Sequence, residues 1–243
     1  MIGHKGKLDI DSLVQVEYPN ALTGEYVTQK YLNFLTDEYN SNFEKMLFAT
    51  SLCSDDINVS TDFRQVLAHP FSMGGLGGLP HSGFTGMVAF AHHIPDGGDA
   101  FIFYGPHIGI SDEGELGRMI RPGQKKLTNS CGALMLALER MQRTEEVYVP
   151  HLVAYDYQQI VLENTLMPFK HEIITAKNPK KEITEKAYYK TDKQINRLVK
   201  MSKEEFICKR IFMLGGIVIN TSPDYHDYVD VRNFMMYNWT ETR

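Results

Sequence analysis

The chain predicts an α/β fold. Three observations carry that expectation. An amphipathic stretch with helical spacing lies near the N-terminus, several short apolar runs have the length of buried strands, and a further helical stretch follows them. At 243 residues the chain has room for one large α/β domain or two small ones. No repeat, low-complexity tract or linker divides it, so a single domain over residues 1–243 is the economical expectation.

From Thr23 to about Lys45, the residues Val27, Tyr31, Phe34, Leu35 and Phe43 approximate a helical stripe, and Thr23 suits its N-cap. The run Met46 to Leu52 then suits a buried strand. It delivers Cys53 at its C-terminal end, where ligands gather in open α/β sheets. Gly86 to Ala91 reads as a second strand. Ala100 to Tyr104 reads as a third, with His107 shortly after its end. Gly132 to about Met141 predicts a helix with Leu134, Met135 and Leu138 on one face, which places Cys131 at its N-terminus. Farther on, Val147 to Ala154 suits a strand, Tyr157 to Leu166 a helix and Phe212 to Asn220 a late buried strand. The lysines between Lys177 and Lys203 read as a solvated helical face in preference to a basic docking surface.

Composition narrows the function classes. Thirty acidic against 25 basic residues give a net charge of -5, so no general affinity for nucleic acid is implied. Three scattered cysteines do not make a disulfide framework, so a reducing, cytoplasmic setting with free thiols is expected. The N-terminus lacks the apolar run of a signal peptide, and no stretch approaches the roughly 18 apolar residues of a membrane span.

Cys53, His107 and Cys131 form a donor set suited to a catalytic metal, which typically takes three protein ligands and keeps one position open. A helix N-terminus favours Cys131 as a thiolate. Each residue also has a bland reading, since free cysteines are often simply buried and a lone histidine is often structural. His81, His92 and His93 compete with His107, and spacings of 54 and 24 residues do not choose among them. Asp55 and Arg64 suit a charged pair beside the metal, although Asp55 next to Asp56 also suits a cap. The segment Met73 to Pro80 lacks a phosphate-loop Lys followed by Ser or Thr, so it reads as a close-packed loop lining a pocket. Cys208, among Phe206, Ile207 and Ile211, reads as core.

Cys53-Ser54-Asp55, His107 and Cys131-Gly132 resemble the metal site of β-type carbonic anhydrases, in which a Cys-x-Asp-x-Arg run precedes a His-x-x-Cys pair. The chain departs from that pattern at Ile57, where the Arg would fall, and in the long segment between His107 and Cys131. Phe71 to Leu76, Ala91 to Gly98 and Tyr104 to His107 are similar to the limiting-CO2-inducible protein B/C family, also called theta-class carbonic anhydrases. The resemblance implies a β-class-like central mixed β-sheet flanked by helices, a homodimer and a zinc ion held by Cys53, His107 and Cys131. It implies reversible hydration of CO2 to bicarbonate by a zinc-bound hydroxide, with Asp55 as the acid–base carboxylate and Arg64 as the nearest downstream arginine. His81, His92 or His93 would relay the proton to solvent. Two other classes are carried beside this one: a silent zinc-binding partner protein related to CO2 or bicarbonate, and a zinc hydrolase of a larger substrate.

Overall fold

The computed structural model describes residues 9–56, 67, 70–143 and 153–239. Its centre is a mixed sheet in the order β1-β9-β8-β4-β2-β3. The strands are β1 (Leu22–Thr23), β2 (Met46–Leu52), β3 (Phe71–Ser72), β4 (Asp99–Gly105), β8 (Arg210–Asn220) and β9 (Tyr228–Asn238). β5 (His107–Gly109) also joins β8, while β6 (Arg118–Ile120) and β7 (Leu127–Asn129) form a separate antiparallel pair. β3, β2, β4 and β8 run parallel, and β9 returns antiparallel to β8. This is the expected mixed sheet.

Helices cover both faces because the central strands alternate two apolar sets. On one face Phe48, Phe101, Phe103, Phe212 and Leu214 pack with Val27, Leu32 and Leu35 of α2 (Gly24–Tyr39). On the other, Ala49, Ile102, Tyr104, Ile211 and Met213 pack with α3 (Gly83–His93) and α7 (Pro179–Met201). Three further helices are α4 (Gly132–Gln142), α5 (Val153–Leu166) and α6 (Lys170–Thr175). They gather with α7 around a third cluster, which includes Cys53 and Cys131. The short α1 (Ile10–Glu17) closes a fourth over β5 and the end of β8.

Thr23 caps α2 as expected by accepting from the Tyr26 amide. The helix stops at Tyr39 rather than about Lys45, because Asn40 turns left-handed at φ 48°. Residues Phe43–Lys45 form only a 3-10 turn. Gly86 to Ala91 corrects the predicted second strand: it lies within α3, where Met87, Phe90 and Ala91 share one buried face at helical spacing. A short, wholly apolar run has no period of its own to separate the two structures. The predicted strand at Val147 to Ala154 lies mostly outside the described residues, and its last two residues open α5. The lysine-rich segment is α7, with Ile183, Ala187, Ile195 and Val199 buried. Lys193 and Lys200 are exposed, whereas Lys180, Lys181, Lys186 and Lys190 are half-buried, the first three of them in ion pairs with glutamates. Cys208 is buried, which pushes its thiol pKa up to about 12.

Candidate metal centre

Parallel pairing sets the first two donors side by side. Leu52 at the end of β2 pairs with Gly105 at the end of β4. Cys53 follows the first and His107 lies two residues beyond the second. The third donor arrives from the β6–β7 hairpin. The Gly109 amide donates to the Ser130 carbonyl (2.8 Å) and the Ser130 amide to the Gly117 carbonyl (3.0 Å), which fixes Cys131 next to β5. Cys131 is the N-cap of α4, as expected.

The donor atoms of Cys53, His107 and Cys131 all lie within 4.8 Å of one another, and all three residues are buried. The two sulfurs stand 3.4 Å apart. His107 Nε2 is buried and has no hydrogen-bond partner. A buried imidazole nitrogen without a hydrogen-bond partner beside two cysteine sulfurs is a set of electron-pair donors of the kind that holds a metal. Two soft thiolates and one imidazole suit zinc, so the residues fit the metal.

Proton affinities follow from this crowding. A hydrogen bond from Cys131 lowers the Cys53 pKa well below the ordinary thiol range, against the effect of burial and with help from His107. Cys131 shifts the opposite way, raised first by burial and then by the neighbouring Cys53. Burial disfavours the His107 cation, but Asp56, Cys53 and Asn220 outweigh it and hold the pKa up at about 9. The Gly77 amide also donates to Cys53 Sγ (3.2 Å).

That amide belongs to the glycine-rich loop, which packs against the strand ends as expected. A Cβ on Gly74 would meet the Leu52 carbonyl oxygen at 2.2 Å, and one on Gly78 (φ +80°) the Gly105 oxygen at 2.3 Å. Ser51 Oγ ties the loop down by donating to the Gly78 carbonyl (2.9 Å).

Asp55 stands at the edge of the donor set, its Oδ2 4.0 Å from His107 Nε2. The Gly132 amide at the start of α4 donates to Oδ2 (2.6 Å), and Arg121 donates to Oδ1 (3.2 Å). Arg64 lies outside the described residues. Arg121, just after β6, is thus an arginine partner that sequence reasoning missed. It lies 66 residues from Asp55, and Arg121-Pro122-Gly123 reads only as a turn. Asn220, which accepts from His107 Nδ1 (2.6 Å), was missed as well, since a polar residue ending a strand carries no distinguishing signal.

The three other histidines separate clearly. His92 pairs with Glu205 (2.8 Å) and His93 with the Ala89 carbonyl (2.6 Å), both exposed on the last turn of α3. His81 follows the glycine-rich loop, half-buried against Tyr157. Burial lowers its pKa, and the negative charge of Cys53 opposes that shift. Among the described residues no helix is long and apolar enough to cross a membrane.

The family model for limiting CO2-inducible proteins B/C β-carbonic anhydrases matches residues 22–238. Among solved structures, PtLCIB4, a homolog of the limiting CO2-inducible protein LCIB, is 30% identical. The match covers 93% of this chain and 95% of that one, with a TM-score of 0.85. A point variant of the same protein gives 29% identity, 93% coverage of both chains and a TM-score of 0.86. LCIB itself shares the fold, at 17% identity, 94% and 95% coverage and a TM-score of 0.67. No curated protein matches the chain.

Proposed function

The chain belongs to the limiting CO2-inducible protein B/C family of β-carbonic anhydrases, and on that premise we propose that it catalyses the zinc-dependent, reversible hydration of CO2 to bicarbonate. The observation that carries the reading is the buried Cys53–His107–Cys131 donor set, with an unpaired imidazole nitrogen and a carboxylate at its edge. In this reading Cys53, His107 and Cys131 hold the zinc ion. When bound, zinc supplies a Lewis acid that lowers the pKa of water from about 16 to about 7.

Asp55 orients the nucleophile. Its two oxygens are fixed by Gly132 and Arg121, and a carboxylate has lone pairs to spare beyond those two bonds. It therefore accepts a hydrogen bond from the attacking oxygen and turns a lone pair of that oxygen toward CO2. Arg121 holds the Asp55 carboxylate in place, taking the part that the family pattern gives to an arginine at position 57, where this chain has Ile57. The buried Leu79 and Leu134, clustered with the donor cysteines, supply apolar surface suited to CO2. We place the active species as a homodimer in the cytoplasm on the family resemblance and the thiol chemistry.

Stopped-flow measurement of CO2 hydration by the zinc-loaded protein tests the proposal. A rate above the buffer background, abolished by chelation and restored by zinc, is the expected result. Stoichiometric zinc with no rate above background would leave a silent metal protein instead.

A further inference from the structure

His107 rests on a buried polar cluster that neither the family pattern nor the donor set includes. Asn220, at the end of β8, is 1% exposed, as are His107 and Ser130. Register puts them together: β5 pairs with β8 in parallel, His107 opposite Val218 and Gly109 opposite Asn220. The Asn220 amide nitrogen donates to Asp56 Oδ1 (3.3 Å) and Asp227 Oδ2 (3.1 Å). Its Oδ1 faces His107 Nδ1 (2.6 Å) and accepts from Ser130 Oγ (3.4 Å). Asp227 is itself held, its other oxygen accepting from the Thr221 amide (2.9 Å).

These contacts fix a proton on His107 Nδ1. Turning the Asn220 amide over would direct its oxygen at two carboxylates, so the carboxylates fix the amide with oxygen toward the histidine. An oxygen at 2.6 Å from Nδ1 requires that Nδ1 carry the proton. In the neutral ring, the lone pair is then on Nε2, the nitrogen that faces the cysteines without a partner.

Resting on the metal-centre reading above, we infer that Asn220 is a positioning residue for the metal. Anchored by Asp56 and Asp227, it locks His107 in the Nδ1–H tautomer and in the ring orientation that presents Nε2 to zinc. Partners of this kind typically alter metal affinity by about 10–100-fold.

The test compares full-length wild type with Asn220→Ala by zinc competition against a chelator, and records the imidazole N–H proton spectrum of the zinc-loaded wild type. The expected results are an affinity loss of about 10–100-fold in the variant and a slowly exchanging His107 Nδ1–H signal in the wild type. Equal zinc affinity in a folded variant would overturn the inference while leaving the metal centre intact. So would an Nδ1–H that exchanges freely with solvent, a result that needs no variant to fold. Failure of the wild type to bind zinc would instead defeat the metal-centre reading, and this inference with it.

Discussion

Both oxygens of Asp55 are engaged by groups from distant segments, so its removal separates metal binding from chemistry. Asp55→Ala should retain stoichiometric zinc and lose about 100-fold or more in CO2 hydration. Arg121→Ala should lose about 10–100-fold, because it frees the carboxylate without deleting it. It should resemble Asp55→Ala more closely than Arg64→Ala does, and near-wild-type rates for Arg121→Ala would remove it from the pair. Cys53→Ala should lose zinc outright by elemental analysis. Acid should weaken zinc binding, since the metal must displace protons from His107 and Cys131, both raised. Affinity measured by competition should therefore climb between about pH 6 and pH 9. In the metal-free protein the raised His107 pKa contributes stability that is present below about 6.5. That contribution is lost as pH rises through about 9.

Among elements, the strands at Met46–Leu52 and Arg210–Asn220 were legible in the sequence as largely apolar runs of strand length. The strand at Asp99–Gly105, buried throughout, was legible from its run of aromatics and Ile102. The stretch at 86–91 was misread because all-apolar composition fits either structure at that length. Cys53, His107 and Cys131 were legible through residue type and family resemblance, with the strand ends and the helix start in support. Arg121 and Asn220 were not, because their roles arise from pairings across 66 and 113 residues. A third long-range pairing supports the sheet. Arg210 at the start of β8 grips Asp99 at the start of β4 through two bonds (3.0 and 2.6 Å) and donates to the Tyr39 carbonyl at the end of α2. Asp99 is 4% exposed, so Arg210→Ala would leave a buried carboxylate without its charged partner, holding only the bond from Ser41 Oγ (3.3 Å). Urea denaturation should show a loss of about 3–5 kcal/mol. A loss under about 1 kcal/mol would mean that Asp99 finds another partner or solvent.

For the whole molecule, the donor set ties together three stretches of chain: the end of β2, the start of β5 and the cap of α4. Zinc bound there is a cross-link of the native state alone, so occupancy and stability are coupled. Thermal unfolding should shift upward as free zinc increases. Free zinc at about 100 times the dissociation constant adds about 2.7 kcal/mol. A midpoint unchanged by saturating zinc or by chelator would contradict a metal buried at this junction.

The bond from the Gly132 amide to Asp55 also furnishes a clock. The opening amides of a helix have no partner within it and ordinarily trade their hydrogens with solvent quickly. Gly132 is an exception, because its hydrogen is held by the carboxylate that faces the donor set. Its deuterium uptake therefore times how often Asp55 swings away, in the resting protein and without any turnover. Slow uptake in the wild type and fast uptake after Asp55→Ala would let one backbone position follow the site through metal loading, inhibitor binding or a change of pH.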